Sequence, residues 1–510
     1  MVRDDLPDVP EPELVDLRNP GISRPALEDL GREVWGEALD WLYGRAMARP
    51  IHPEPYPESR RRSFGPSGEP APAPQAGEPA ADVFREFRER IAPMTYGPHH
   101  PGSFGYFTPP PLPMSIAGEV LAQWTQQGVD VWHAGPGGAF VEEEVVRWLR
   151  DLVGLPSGSW GVLTSGGVMA NLMALAVARE IHLRARSGGQ EPRGARLEGV
   201  RVYASDQTHF SIGRGLDVLG FPKETLRVIG SDERYRLQPG PVAEAIAQDR
   251  AAGLLPLAIS AVAGSTNTGS VDDVEGLAAV ARDEGVWLHV DAAYGGAARL
   301  SARDAHRVRG LELADSVTID PHKWFFQAYD IGALLVRRRD DLRVTFSRSP
   351  EYYASSRPED APLNWYEYSI EGTRRFRALK LWMSWKHLGT RGLGSLVARD
   401  IDLASYLAAR IADAPDFDLA VEPELSVVCF RHLPPGSETW GPHLLDAYEN
   451  GLQRALELDG TAWVSVTTLR DRTYLRAGIL NYLTDRAQID AMLDAFRRVS
   501  ERVLEELHGR

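Results

Sequence analysis

SVTIDPHKWFF, residues 316–326, is the stretch that decides the fold and the chemistry of this chain. A β-rich run ends at Asp320 and passes directly into His322 and Lys323. Strand ends in open α/β sheets point into the ligand crevice. The aromatic residues 324–326 beside Lys323 favour a neutral amine by desolvation, and Schiff-base chemistry requires a neutral amine. The stretch therefore predicts a reactive lysine at a sheet edge, although a surface lysine on a loop would also fit it.

Short β-rich runs alternate with amphipathic segments on both sides of this stretch. The β-rich runs are 199–205, 225–230, 257–264, 286–292, 316–320 and 332–338, and the clearest helical segments are 241–253 and 274–285. This alternation predicts βαβ units and a mostly parallel sheet that is buried on both faces, which is the α/β class. We expect that large domain to span residues 114–385. Residues 386–510 change pattern, and their strands and long final helix predict a smaller α+β domain.

The first 113 residues predict a helical segment and a linker. Residues 25–48 place apolar side chains at mostly helical spacing, with more apolar surface than a lone arm should expose. We therefore expect this helix to pack on another domain or on another subunit. Residues 63–81 are rich in Pro, Gly and Ala, which is typical of a linker.

Composition excludes several classes of protein. The 510 residues carry a formal net charge of −15, which argues against nucleic acid as a partner. No apolar run approaches the roughly 18 to 20 residues that span a bilayer, and the acidic start lacks the features of a secretory signal. The single cysteine, Cys429, allows no intramolecular disulfide and no cysteine-based zinc site. We expect a cytoplasmic protein that acts on a small molecule and contains no metal.

A second chemical signal lies in VWLHVDAAYGGAARL, residues 286–300, where a strand ends at Asp291. Small residues follow the aspartate, so a flat ring can approach it. A carboxylate at this place suits a protonated pyridine nitrogen, and that pairing lets the ring accept electrons from a breaking bond. The alternative is that Asp291 caps the next helix.

Two further segments point to the same crevice. In residues 163–180, Gly166 and Gly167 form a turn before an Ala/Leu-rich helix, and free N–H groups at a helix start bind phosphate. In residues 205–220, His209 follows a strand, where an imidazole can stack on a flat ring and transfer protons. Taken singly, a Gly-Gly turn or a histidine is more often structural.

Together these segments resemble the group II pyridoxal-phosphate-dependent decarboxylases, which include the aromatic L-amino-acid, histidine, glutamate and diaminobutyrate decarboxylases. The most specific matches are SDQTH (205–209), HVDAAYGG (289–296) and DPHKW (320–324), and the similarity runs from about His100 to the C-terminus. The resemblance implies the aspartate-aminotransferase-like fold, pyridoxal-phosphate fold type I, with a seven-stranded sheet. It also implies pyridoxal 5'-phosphate as cofactor and a homodimer with the active site at the interface.

The resemblance assigns roles to four residues. Lys323 is expected to form the Schiff base with the cofactor, and Asp291 to hold its pyridine nitrogen. Ala293 is expected to pack on the ring, and His209 to stack on the opposite face and act in catalysis.

The resemblance also assigns the contacts of the phosphate group and its surroundings. The candidates are Ser165, Gly166, Gly167, Asp320 and His322, with Ser265 and Thr266 of the GSTNTG turn (264–269). One departure stands out, because the aromatic branch carries a serine where this chain has Val168. A hydroxyl contact is therefore expected to be missing, and backbone amides could compensate for it.

An aromatic substrate such as Tyr, Trp or Dopa is the leading expectation. Tyr106 and Phe107, in FGYFTPPPLP (104–113), match a pair of pocket residues in aromatic decarboxylases, and residues 373–393 around Trp382 also resemble that branch. The alternative is that Tyr106 and Phe107 are core residues at a domain junction.

The family places a tyrosine that protonates Cα in a loop, here residues 347–372. Alignment from the following arginines lands on Trp365, so the next residue, Tyr366, is favoured as the catalytic tyrosine. Three other tyrosines remain open, namely Tyr352, Tyr353 and Tyr368.

The leading hypothesis is thus the decarboxylation of an amino acid, with an acidic or diamino substrate as the alternative to an aromatic one. A second hypothesis is another reaction on the same fold, either aldehyde synthesis or a carbon–carbon lyase reaction on phosphorylated sphingoid bases. A third is a non-catalytic cofactor-binding protein, which the presence of Lys323, Asp291 and His209 disfavours.

Overall fold

The computed structural model describes residues 23–186, 188–189, 192–347 and 363–508. The chain forms two compact units that divide after His100. In the first unit, the predicted helix is present and continues as a π-helical turn, Trp41–Ala46. The Ser23 hydroxyl caps its start by accepting from the Ala26 N–H at 3.4 Å. The helices of this unit are α1 (Arg24–Asp40), α2 (Tyr56–Phe64) and α3 (Ala80–Glu86).

The second unit contains a seven-stranded sheet with the order β1-β7-β6-β5-β4-β2-β3. β7 runs antiparallel to both of its neighbours, β1 and β6, while the other neighbouring pairs are parallel. Every β-rich run predicted from the sequence forms a strand. The strands are β1 (Trp160–Thr164), β2 (Val200–Ser205), β3 (Leu226–Ile229), β4 (Leu255–Val262), β5 (Trp287–Asp291), β6 (Ser316–Ile319) and β7 (Gly332–Val336).

Helices cover both faces of this sheet, so the central strands are buried throughout, as the apolar runs predict. These helices are α4 (Pro113–Thr125), α5 (Pro136–Val153), α6 (Gly167–Ala178), α7 (Ser211–Val218), α8 (Pro239–Ala251), α9 (Val274–Glu284) and α10 (Arg339–Phe346). No helix in the described ranges has the length and apolar character needed to cross a bilayer.

The C-terminal part has its own four-stranded antiparallel sheet, with the order β10-β11-β9-β8, and its own apolar core. A long helix, α11, leads into it and is interrupted at Gly389, where φ is 66°. This arrangement is the smaller α+β part that the sequence predicts. Its elements are α11 (Ala378–Ala412), β8 (Phe417–Leu419), β9 (Val427–His432), α12 (Pro442–Asp459), β10 (Ser465–Leu469), β11 (Arg472–Gly478) and α13 (Arg486–His508).

A buried ion pair fixes the end of β1. Glu142 on α5 and Arg374, just before α11, are each 1% exposed. The Arg374 Nη1 donates to Glu142 Oε2 at 3.1 Å, and the same two side chains bind both backbone groups of Leu163. The pair therefore joins three distant segments at the point where the chain leaves the sheet.

Replacing Glu142 with Ala leaves the Arg374 guanidinium buried without its counter-charge. Loss of one partner of a buried pair costs about 3–5 kcal/mol, so we expect the free energy of unfolding to fall by that amount. Urea unfolding followed by tryptophan fluorescence measures it.

Glu143→Ala is the matched control, because Glu143 lies on the same helix and pairs with Arg147 at the surface. Exposed pairs contribute about 0–1 kcal/mol. If the two variants lose the same stability, the buried pair does not have the role described.

Candidate active site

A cavity of about 400 Å³ opens at the carboxyl edge of the large sheet. Parallel strands end at one edge, so the side chains that follow them meet there. Ten of the residues that the sequence assigns to the cofactor line this cavity, namely Ser165, Gly166, Gly167, His209, Thr266, Asp291, Ala293, Asp320, His322 and Lys323. The further candidate Ser265 does not line it, because the Ser265 hydroxyl is buried in a cluster with Thr268 and Ser270.

Lys323 follows β6, and its amine points into the cavity. Lys323 Nζ lies 3.2 Å from Asp320 Oδ2 and 6.0 Å from the centre of the Phe107 ring. The three aromatic residues after it are fully buried, which confirms the apolar surroundings expected from the sequence. The lysine is thus held between a carboxylate and an aromatic wall.

Asp291 ends β5 and is 6% exposed. Its Oδ1 accepts from the Ala293 N–H at 3.1 Å, and its Oδ2 accepts from the Asn171 amide at 2.7 Å. The cap position of the next helical turn, Gly295–Leu300, is occupied by Tyr294. The alternative that Asp291 caps a helix is therefore wrong, and its carboxylate is available to a ligand in the cavity.

His209 lies on the loop between β2 and α7. Its Nδ1 lies 2.8 Å from the Ser211 hydroxyl and accepts from the Ser211 N–H at 3.3 Å. Burial lowers the pKa of this imidazole below its ordinary value, so the ring is neutral near pH 7.

The start of α6 forms a cradle for an anion. No side chain caps this helix, and its first intrahelical donor is the Ala170 N–H, so the N–H groups of residues 167–169 have no partner within the helix. A Cβ on Gly167 would lie 2.8 Å from Asp320 Oδ2, and one on Gly166 would lie 3.0 Å from His322. A side chain at either place would therefore crowd Asp320 or His322, because the backbone passes so close to them.

These groups fit pyridoxal phosphate. An amine, a carboxylate, an imidazole and a helix start surround one cavity, and they match the cofactor's aldehyde, ring nitrogen, ring face and phosphate. Val168, which is 38% exposed, lines the cavity at the helix start and offers a backbone N–H but no hydroxyl. The roles of the individual residues remain predictions.

The two substrate candidates lie in different surroundings. The Phe107 ring stacks on Tyr294, with centroids 4.3 Å apart and planes at 24°, and it lies next to Lys323. Tyr106 is 62% exposed and meets the edge of Trp463 at 4.7 Å. Phe107 therefore contributes to the wall beside the reactive amine, whereas Tyr106 lies at the surface of this chain.

The favoured catalytic tyrosine, Tyr366, does not line the cavity of this chain. It belongs to a helical turn, Trp365–Tyr368, and its N–H donates to the Asp130 carbonyl at 3.1 Å. Trp365 is fully buried and stacks on Trp160 at 5.8 Å, so this part of the loop packs on the sheet. Tyr352 and Tyr353 lie outside the described residues.

Two functional residues escaped the sequence analysis. Asn171, inside the Ala/Leu-rich helix α6, binds the Asp291 carboxylate, and Tyr294 stacks between Phe107 and Trp324. The only local signal for Asn171 was a residue of poor helix propensity in the middle of a strong helix. Tyr294 had no signal beyond its place next to the HVDAA segment.

Comparisons with known proteins agree with this geometry. Residues 61–433 match the pyridoxal-dependent decarboxylase conserved domain. The chain is 34% identical to the aromatic-L-amino-acid decarboxylase of Bacillus atrophaeus, over 79% of this chain and 82% of that protein. It is 32% identical to the L-2,4-diaminobutyrate decarboxylase of Rhizobium meliloti, over 86% of each. The crystal structure of Oryza sativa TDC with pyridoxal phosphate and tryptamine superposes with a TM-score of 0.87 at 26% identity, covering 94% of this chain and 99% of that one. The predicted type I fold is thereby confirmed.

Replacing Lys323 with Ala is expected to remove the visible absorption band of the bound cofactor, because no other amine takes its place at the end of β6. Turnover should fall by about 10³-fold or more. Absorbance after dialysis against pyridoxal phosphate measures the first effect. Lys386→Ala, which removes an amine beside the Trp382 ring instead, should keep both band and turnover. A Lys323 variant that retained both would overturn the assignment.

Replacing Val168 with Ser adds a hydroxyl donor at the start of α6. A hydrogen bond to a charged group contributes about 1.5–3 kcal/mol, so we expect the Kd of pyridoxal phosphate to fall about tenfold. Fluorescence titration of the apoenzyme measures it. Val168→Ala serves as the control, with a Kd close to that of the parent. Equal affinities in all three proteins would show that the phosphate does not reach this position.

Proposed function

The chain belongs to the pyridoxal-dependent decarboxylase family, and we propose that, within this family, it converts an aromatic L-amino acid to the corresponding amine and CO₂. Pyridoxal 5'-phosphate is the cofactor, and the enzyme is a carboxy-lyase that acts on amino acids. The proposal that the substrate is aromatic rests on the Phe107 ring beside Lys323.

When bound, the cofactor supplies a ring that accepts the electron pair left as the Cα–carboxylate bond breaks. The chain's own residues make that possible. Asp291 holds a proton on the ring nitrogen, and the N–H groups at the start of α6 hold the phosphate. Lys323 binds the cofactor through its amine, and Asp320, 3.2 Å away, holds that amine at the end of β6.

The observation that carries the aromatic substrate is the position of Phe107. Its ring lies 6.0 Å from Lys323 Nζ and is held in place from behind by Tyr294. Tyr294, Met169 and Phe210 line the cavity itself and give it apolar surface. Aromatic pairs contribute about 0.5–1.5 kcal/mol beyond the area that they bury, so such a wall favours a ring on the substrate.

The charged groups of the cavity support the same choice. Among the described residues that line it, the carboxylates are Asp291 and Asp320, and each already has a partner, Asn171 in the first case and Lys323 in the second. A diamino substrate would need a further carboxylate for its distal ammonium. Arg476 lies behind the Phe107 ring, 4.6 Å from its centre, and donates to the carbonyl oxygens of Gly105 and Thr266. Arg476 is not among the described residues that line the cavity, so a carboxylate there is not clamped by it, which favours the loss of CO₂.

We also propose that the protein is a homodimer in which the partner subunit completes the active site. Tyr366 lies outside the cavity of its own chain. This position fits a site to which a second copy contributes. The cytoplasmic location expected from the sequence stays a prediction.

The test of the proposed function is the product formed from a panel of L-amino acids with pyridoxal phosphate added, identified by mass spectrometry. We expect amine and CO₂ in equal amounts from Trp, Tyr or Dopa. Amine from 2,4-diaminobutyrate or glutamate alone would contradict the substrate proposal. Aldehyde and ammonia would contradict the reaction and would favour an aldehyde synthase, in which the tyrosine that protonates Cα is absent or misplaced.

The same panel with Phe107→Ala tests the aromatic wall. We expect the KM for the preferred aromatic substrate to rise about tenfold, because the lost ring contact contributes roughly 1 kcal/mol and the cavity also widens. The control is Tyr106→Ala, which removes the neighbouring ring but leaves Phe107 in place. A KM that changes equally in both variants would contradict the role of Phe107.

A further inference from the structure

Asp291 and His209 lie on different parts of the chain. The Asn171 side chain binds Asp291 directly and reaches His209 through the Ser211 hydroxyl. The Asn171 amide nitrogen donates to Asp291 Oδ2 at 2.7 Å and to the Ser211 hydroxyl at 2.8 Å. That hydroxyl lies 2.8 Å from His209 Nδ1. Asn171 itself is 1% exposed, and it lies five residues into α6, the helix that also forms the phosphate cradle.

The proton positions in this network follow from its acidic end. An ionised carboxylate only accepts, so the Asn171 nitrogen must face Asp291 and its oxygen must face the other way. That oxygen lies 3.0 Å from His289 Nε2, which therefore donates. The His289 Nδ1, 2.9 Å away from the Ser316 hydroxyl, then accepts from it.

The far end of the network agrees with these directions. The Trp287 indole N–H donates to the Ser316 oxygen at 2.8 Å, and Ser316 keeps its own proton for His289 Nδ1. Burial lowers the pKa of His289 to about 4, so its ring stays neutral near pH 7, as this pattern requires. The orientation of the Asn171 amide thus follows from the Asp291 carboxylate.

The second amide hydrogen of Asn171 sets the state of His209. Because the Ser211 oxygen accepts from Asn171, its own proton is directed at His209 Nδ1. The Ser211 backbone N–H points at the same nitrogen, at 3.3 Å. His209 Nδ1 is therefore unprotonated, and the ring carries its proton on Nε2, the nitrogen that is left for a ligand.

We propose that Asn171 is a positioning residue that couples Asp291 to His209, so that one buried amide sets both the direction of the carboxylate and the tautomer of the imidazole. One amide hydrogen of Asn171 goes to Asp291, and the other goes to the Ser211 hydroxyl that contacts His209. Asp291 and His209 face the cofactor on different sides. The inference rests on the binding of pyridoxal phosphate and not on the identity of the amino-acid substrate, so the failure of either proposal can be told from that of the other.

Asn171→Leu tests this coupling, because leucine keeps a similar volume but removes both donors. We expect the Kd of pyridoxal phosphate to rise about tenfold or more, since a bond to a charged acceptor is lost. We also expect the pH at which the visible band of the bound cofactor changes to shift upward, because a less firmly held ring-nitrogen proton repels the imine proton less. Fluorescence titration and absorbance spectra measured against pH give these two results without any substrate.

Ser211→Ala tests the contact with His209 separately from the contact with Asp291. It removes the contact with His209 and keeps the donor to Asp291, so the cofactor Kd and the pH dependence of the band should stay near those of the parent. The pH profile of kcat should change, because the hydroxyl contact at 2.8 Å is lost and His209 Nδ1 keeps only the longer backbone contact at 3.3 Å. A cofactor affinity that fell as far as in Asn171→Leu would contradict the division of the two donors.

Thr318→Val is the matched control for general packing. Thr318 lies beside Asp291 in the neighbouring strand, is fully buried, and its hydroxyl has no hydrogen-bond partner among the described residues. The variant should behave like the parent in affinity and spectrum. If Asn171→Leu also binds and absorbs like the parent, the proposal is overturned.

A second pair of variants decides the question if Asn171→Leu does not fold. His289→Leu removes the donor that orients the Asn171 amide, and His289→Gln retains one. Weakened cofactor binding in the first and recovery in the second support the proposal. Equal affinity in both variants and in the parent overturns it.

Discussion

The buried pair of Glu142 and Arg374 determines where the active-site turn begins. Its two side chains bind the N–H and the carbonyl of Leu163, the residue before the last of β1. Taking two charges out of water is costly, so such a pair persists only with close and directed contacts. Three residues later the chain reaches the glycine turn that starts α6, so the position of the phosphate cradle follows from this pair.

A second constraint acts on the other side of the cavity. Phe107, Tyr294 and Trp324 form one stack, with ring centroids 4.3 Å and 4.9 Å apart. The Trp324 indole donates to Asp400 at 2.8 Å, and burial raises the pKa of that carboxyl to about 8, so it is neutral near pH 7. The wall beside Lys323 is therefore supported from behind by a fully buried column, which leaves Phe107 little freedom to move aside.

The strands and the residues that line the cavity could be predicted from the sequence because several of these side chains directly follow an apolar run. Asp291 ends β5, and Lys323 lies four residues after the end of β6, so a one-dimensional pattern locates them. Asn171 could not be found in this way, since its partners Asp291 and His289 lie 120 and 118 residues away in the chain. The tyrosine expected to protonate Cα is placed in the sequence only by counting back from two arginines, and in the structure Trp365 and Tyr366 form a turn that does not line the cavity.

The antiparallel strand β7 has a consequence for how the protein is made. β1 has no neighbour in the sheet other than β7, with which it pairs from Trp160↔Val336 to Thr164↔Gly332. Gly332 also packs against Gly166, where a Cβ would lie 2.6 Å from the Gly166 Cα. During synthesis from the N-terminus, the phosphate turn gains its last sheet partner only when β7 has left the ribosome. Contacts this far apart in the chain form slowly, so the cofactor site is completed only after about two thirds of the chain has been made.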